Sequence, residues 1–175
     1  MGKSKKSEEA AVVKAEPADD DATAPSTAET KGVRQPLPEP SAEKEEYEML
    51  LEFVNPIARP MAPRKLAKKL YKLIKKGAKE KNHLRQGIVD VQKALRKGET
   101  GLVVLAGNVN PLDIYCHLPV VCEDKDIPYV YTPSKEHLGL AAGHRRTTIV
   151  VLVRPHDTYQ ALLDDCMDTA RKLPV

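Results

Sequence analysis

Residues 85–124 read RQGIVDVQKALRKGETGLVVLAGNVNPLDIYCHLPVVCED, and the fold is decided here. Gly87 to Lys97 has helical spacing, with Ile88, Val91 and Leu95 on its inward side. Gly98 follows as a residue able to take the positive φ that ends a helix. Leu102 to Ala106 is wholly apolar and reads as a central strand buried on both faces. Asn110 is placed to cap a further helix with Pro111 at its first position. That helix is expected to run through Ile114 and Leu118, with Pro119 restarting a turn toward Asp124.

The same alternation continues outward. Tyr129–Thr132 reads as a short strand, and Ser134 opens a helix closed near Gly139 or Gly143. Thr147–Val153 is a second buried strand, and Tyr159–Arg171 is a final amphipathic helix with Leu162, Leu163 and Cys166 inward. Strands alternating with helices give the α/β class: a three-layer α/β/α sandwich around a small mixed sheet. Upstream, Ser41–Phe53 forms a short helix, and the prolines at 56, 60 and 63 set an extended entry. Residues 1–41 are rich in Ala, Glu, Asp, Ser, Thr and Pro. They hold too little apolar surface to offset ordering entropy, so they are expected to be a disordered acidic tail before a single domain over 42–175.

The net charge of +3 conceals a sharp asymmetry. Residues 42–58 carry Glu43, Glu45, Glu46, Glu48 and Glu52 against Lys44. From Arg59 to Lys97 fourteen lysines and arginines face only Glu80 and Asp90, so one segment holds nearly all the attraction for polyanions. Within it, Lys65–Lys79 is the clearest helix. At 100° per residue its seven lysines fall in an arc of about 120° opposite Leu66, Leu70, Leu73 and Ile74. A solvated face is the plain reading. Yet glutamates four residues from the lysines would stabilise such a helix, and no acid interrupts the stripe until Glu80, which favours a polyanion partner.

Several classes of chemistry are excluded. No apolar run approaches a membrane span, the lysine-rich start lacks the apolar core of a secretory signal, and Lys6 stands where myristoylation wants Ser or Thr. Three cysteines without CxxC spacing suit a reducing compartment. GxxxxGK[ST], GxGxxG and GxSxG are absent. The glycines of 139–143 lack the strand–glycine–helix order of a nucleotide site. Cys116, His117 and Cys122 do not close a tetrahedral metal site and are read as buried structural thiols with a neighbouring imidazole. Asp113, Glu123, Asp124 and Asp126 read as a solvated helix end. The remaining histidines lack an arranged nucleophile or acid, so neither a cofactor, a metal nor catalysis is expected.

A helix beginning at Gly87 aims backbone N–H groups and its positive dipole end at whatever lies before it. Arg85, Lys93, Arg96 and Lys97 are expected around that opening, a docking surface for phosphate. His144, beside Arg145 and Arg146, suits contact with phosphate or a base face better than proton transfer.

Asn55 to Pro155 closely resembles the kink-turn-binding ribosomal protein family. The matching stretches are NPIARPMAPRKLAKKLYKLIKK, GIVDVQKALRKGETGLVVLAG, NPLDIYCHLPVVCEDKDIPYVYTPSK and LGLAAGHRR. YCHLP and the tail PHDTYQALLDDCMDTARKLPV tilt the resemblance toward the branch serving eukaryotic box H/ACA ribonucleoproteins, with the box C/D particle protein or a ribosomal protein of the family as the alternative. The resemblance implies an α/β/α sandwich that binds kinked RNA and performs no chemistry. It implies a nuclear, nucleolar subunit partnered by H/ACA guide RNA, by a dyskerin-type pseudouridine synthase and by the small bridging core subunit, in particles that guide pseudouridylation of ribosomal and small nuclear RNA.

The family signature, roughly G-x-N-E-x-x-K, falls on Gly87 through Lys93. Gly87 and Lys93 match it. Asp90 replaces the glutamate that accepts from a guanine edge, and Val89 replaces the asparagine, so that base contact is lost. Lys97 matches a basic position facing the RNA backbone. After LGxAxG the family often presents apolar residues and a proline to an extruded base. Here the loop reads His144-Arg145-Arg146-Thr147, which implies more phosphate attraction and less shape-specific clamping. Ile114, Leu118, Val120 and Val121 are the apolar candidates for the bridging-subunit contact.

Overall fold

The computed structural model describes residues 42–174. The expectation of a disordered tail over 1–41 lies outside those residues. The elements in chain order are α1 (Ala42–Glu52), α2 (Arg64–Gly77), β1 (Leu84–Gln86), α3 (Ile88–Arg96), β2 (Leu102–Ala106), a single 3-10 turn (Leu112–Ile114), α4 (His117–Glu123), β3 (Tyr129–Thr132), α5 (Lys135–Ala141), β4 (Val150–Val153) and α6 (Gln160–Arg171).

The four strands form one mixed sheet in the order β1-β4-β2-β3. β2 and β3 run parallel, and β4 is antiparallel to both β1 and β2. Every residue of β2 and β4 is buried, as strands covered on both faces must be. α2 packs with α5 and α6 in one layer, and α3 packs with α4 and against β1 and β4. The expected three-layer sandwich around a small mixed sheet is therefore present. Its core is aliphatic, with Leu70, Leu73, Ile74, Leu95, Leu105, Leu118 and Leu152 fully enclosed and Tyr115 and Tyr131 as its large rings. The proline-bearing entry lies along β3: Tyr131 N–H donates to Pro60 O and Ala62 N–H to Tyr131 O, each at 2.9 Å.

Four local expectations change. First, Asn110 and Pro111 do not open a continuous helix. Pro111 is extended, no side chain caps the turn at Leu112–Ile114, and Tyr115 leaves helical geometry. The reason is burial: Tyr115 is fully enclosed beside Tyr131, and its hydroxyl accepts from Asn55 Nδ2 at 2.9 Å. Second, β4 begins at Val150 rather than Thr147, because Thr148 N–H donates to Lys135 O at the start of α5 and not to the sheet. Third, Leu84–Gln86, to which the sequence reading assigns no element, forms β1, a strand of only three residues and too short to carry a periodic signal. Fourth, Leu118 is in the core, whereas Ile114 and Val120 are exposed.

Cys116 is also exposed, contrary to the expectation of buried thiols, while Cys122 and Cys166 are enclosed. Burial pushes the Cys122 thiol up to about 12 and the Cys166 thiol up to about 11. The thiolate is the reactive form. A disulfide reagent at neutral pH is therefore expected to titrate Cys116 rapidly in the native protein, and the other two only after denaturant is added. Fast modification of all three in native buffer contradicts this packing.

Candidate nucleic-acid interface

The sheet order has a direct consequence. β1, β2 and β3 all end at the edge where β4 begins. The turn after β1, the start of α5 and the 144–149 loop therefore gather along one rim. Gly87 N–H donates to Val150 O at 3.0 Å, and Gln86 Nε2 donates to Ala142 O at 3.4 Å. These bonds tie the glycine turn to Ala142 and Val150, the residues that flank the arginine loop, nearly sixty residues away in sequence.

Gly87 precedes α3 with φ 83° and ψ 157°. That region is essentially restricted to glycine. No atom lies within 4 Å of where a Cβ would stand, so the turn presents bare backbone to solvent. α3 buries Val91, Ala94 and Leu95, and leaves Val89, Asp90, Lys93, Arg96 and Lys97 exposed. At 100° per residue these five fall within about 120°. Val89 is 62 % exposed, a large apolar side chain at the first turn of the outward face. Lys93 and Arg96 lie in the last turn, and Lys97 follows it. The cations therefore line the helix flank and do not encircle its opening.

Arg85 has a different setting from the expected one. It lies within β1, half-buried, and pairs with Glu99 at 3.4 Å, while Arg154 reaches the same carboxylate at 3.5 Å. Glu99 follows α3, so this cluster fixes the far end of the helix, away from Gly87. The charge of Arg85 is answered inside the protein.

The 144–147 loop is built on α5. Gly143, at φ 85°, ends the helix, and His144 N–H donates back to Gly139 O at 3.0 Å. Gly139 is inside α5, and a Cβ there would stand 2.3 Å from Arg146 O. The loop backbone lies directly against the helix at this point. His144, Arg145, Arg146 and Thr147 are all exposed.

Sequence reasoning missed the residues that brace the rim. Asn108, after β2, accepts from Lys135 N–H at 2.9 Å and donates to Glu136 at 3.2 Å. Ser134 caps α5 through His137 N–H and donates to Glu136 at 2.9 Å. Partial burial opposes the charge on Glu136, but its own N–H, Ser134 and Asn108 outweigh it and hold the carboxyl below its ordinary value. A glycine inside a helical pattern was the available signal for Gly139. Nothing local marked Asn108.

Among the described residues no group of three or more His, Cys, Asp or Glu is placed to hold a metal ion. His117 is bonded to Gln92 of α3, and Glu123 accepts from the Tyr129 hydroxyl at 2.6 Å. No helix among the described residues is long and apolar enough to cross a membrane. The rim offers open backbone, cations on two segments and an exposed valine, which can contact phosphate and bases but arranges no nucleophile with a base.

The profile of the ribosomal protein L7Ae/L30e/S12e/Gadd45 family matches residues 68–163. The H/ACA ribonucleoprotein complex subunit 2 of Drosophila melanogaster is 54 % identical over 135 residues, 76 % of this chain and 84 % of that protein. The subunit 2 of Pongo abelii is 53 % identical over 129 residues, 74 % and 84 % of the two chains. The subunit 2-like protein of Xenopus laevis is 50 % identical over 136 residues, 78 % and 91 %. Among solved structures, the Giardia lamblia 15.5kD RNA binding protein is similar at a TM-score of 0.66 and 32 % identity, covering 69 % of this chain and all of that one.

Proposed function

The chain belongs to the ribosomal protein L7Ae/L30e/S12e/Gadd45 family, and from that membership we infer that it is an RNA-binding subunit of the H/ACA ribonucleoprotein complex. Its part in guide-directed pseudouridylation is structural. It holds the guide RNA, and the chemistry belongs to a dyskerin-type synthase in the same nucleolar particle. The observation that carries this reading is the shared rim of the Gly87 turn and the 144–147 loop. Identity of 50–54 % to these three H/ACA subunits favours this branch over the box C/D and ribosomal alternatives.

Gly87, Val89, Asp90, Lys93 and Lys97 form one side of the RNA contact, and His144, Arg145, Arg146 and Thr147 the other. The bare backbone at Gly87 lets a phosphate or base approach the first turn of α3. Lys93 reaches guanine or phosphate. Asp90 accepts from a guanine edge, though with a side chain one methylene shorter than glutamate. Val89 supplies only apolar contact. Arg85, paired with Glu99 just past the end of α3, is given a bracing role in this reading. The exposed pair Ile114 and Val120 is the surface offered to the small bridging subunit.

Sequencing RNA crosslinked to the chain, with crosslinks mapped to peptides, tests the assignment. H/ACA guides joined at Lys93 and at His144–Thr147 are expected. Box C/D guides, or ribosomal RNA alone, overturn it. A second expectation concerns discrimination. With Val89 unable to hydrogen-bond a base and arginines in the loop, affinity leans on phosphate contacts. The isolated chain should prefer kink-turn RNA over plain duplex by well under roughly a thousandfold at matched salt, the scale a full set of base contacts could give. A larger preference refutes the account of Val89.

A further inference from the structure

The rim leaves the strongest charge feature of the chain unused. α2 lies in the layer with α5 and α6, whereas α3 lies in the other layer with α4. The α2 lysines 65, 68, 69, 72, 75 and 76 are all exposed, as is Lys79 in the turn that follows the helix. Lys69 is held at one margin by Asp165 of α6, at 2.6 Å. Lys68 and Lys75 stand at the other margin, lining the hollow shared with Tyr47, Tyr71 and His137. At the N-terminal end, Glu48 of α1 borders the groove that contains Lys65 and Lys68. Beyond it the face is unopposed. Lys72 and Lys76 stand along the middle of its arc, Lys79 follows in the turn past the helix end, and none of the three has a carboxylate partner among the described residues. Glu80, the first acid after them, is half-buried beside Tyr159.

We propose that this lysine face of α2 is a second RNA-docking surface, a track for the phosphate backbone of a duplex, separate from the rim. The proposal rests on the RNA-binding reading above and adds to it a second contact on the opposite layer. Lysines three and four residues apart stand about 5–6 Å from one another at Cβ, and on α2 they run on for roughly 16 Å from Lys65 to Lys76 at 1.5 Å per residue, with Lys79 in the turn beyond. Such a row meets consecutive phosphates, not bases. No aromatic side chain is exposed on the face to stack a base, since Tyr71 is half-buried with its ring edge-on to His137. The chemistry is therefore that of backbone contact, indifferent to sequence and suited to A-form helix. In a folded guide RNA, the kinked element would occupy the rim and a neighbouring stem would lie along α2.

The test compares four forms of the full chain: unchanged, with Lys72→Gln/Lys76→Gln/Lys79→Gln on the lysine face, with arginine at those three positions, and with Lys93→Ala/Arg145→Ala/Arg146→Ala on the rim. Each is titrated against plain RNA duplex, against kink-turn RNA and against polyglutamate over a range of salt. Glutamine keeps helix propensity close to lysine, so the fold is retained. The α2 variant should weaken duplex binding at least about tenfold at low salt and reduce the log–log salt slope by about two to three. The rim variant should weaken kink-turn RNA more than duplex. A Lys→Arg set on α2 should restore the duplex slope. An unchanged duplex slope in the α2 variant overturns the proposal while leaving the rim intact. A variant that loses polyglutamate but not RNA overturns it in favour of an acidic protein partner. Absence of RNA binding by the unchanged chain overturns the RNA reading itself.

Discussion

Replacing Gly139 by alanine is expected to destabilise the protein by about 1–3 kcal/mol, the range for overpacking a closed site, and to cut RNA affinity with it. On propensity alone the change should help, since alanine is better than glycine inside a helix by roughly 1 kcal/mol. The contact reverses the sign. A Cβ at Gly139 would stand 2.3 Å from Arg146 O, 3.2 Å from Arg146 C and 3.3 Å from Thr147 Cα. These are backbone atoms, which cannot rotate away as a flexible side chain would. Either α5 moves outward or the 144–147 loop lifts, and both displace Arg145 and Arg146. Urea unfolding reads the first effect as a lower midpoint at unchanged slope. Gly101→Ala supplies the control. Its Cβ would stand 2.1 Å from Val153 O, just before β2 and at the edge opposite the rim. It should destabilise comparably while the RNA affinity of the folded fraction holds. Equal affinity losses in the two variants would sink the claim that Gly139 acts through the loop.

Gly87→Ala should also lose both stability and RNA affinity, for a different reason. Nothing occupies the space a Cβ would take, so no clash is involved. The penalty is conformational: at φ 83° and ψ 157° an L-residue with a side chain is strained by about 1–3 kcal/mol. The chain can relieve the strain only by giving up the bond from Gly87 N–H to Val150 O, which ties α3 to β4. In the bound state the methyl would also stand where RNA approaches the first turn. Affinity should therefore fall by more than stability alone accounts for, which is measurable at a temperature where both forms remain folded. If the folded variant binds RNA as tightly as the unchanged chain, RNA does not approach at Gly87.

What could be read from the sequence follows from where the information lay. β2 and β4 were legible because continuous apolar runs between turn residues admit few other readings. α2 and α6 were legible from helical spacing, and the break around Pro60 and Pro63 from backbone restriction. The convergence of Gly87 with residues 144–147 was not visible in any local pattern. It depends on β1, three residues long, pairing antiparallel with β4. Tyr115 interrupts a helix that local propensity favours because its ring is needed inside. Arg85 resembled a phosphate contact because sequence gives no sign that Glu99 stands beneath it. The basic residues were thus identifiable as a set, but their division between rim, internal pair and outer helix face required the packing.

The segment lying along β3 has a consequence for how this chain can assemble. Pro60 and Ala62 already take the outer hydrogen bonds of Tyr131, and at the opposite end of the sheet β1 offers only three residues. Tyr131 is thereby closed to an incoming strand, and β1 offers only a short border. Protein neighbours must therefore attach through helix faces and loops, and a destabilised form loses this protection first where the proline segment peels from Tyr131.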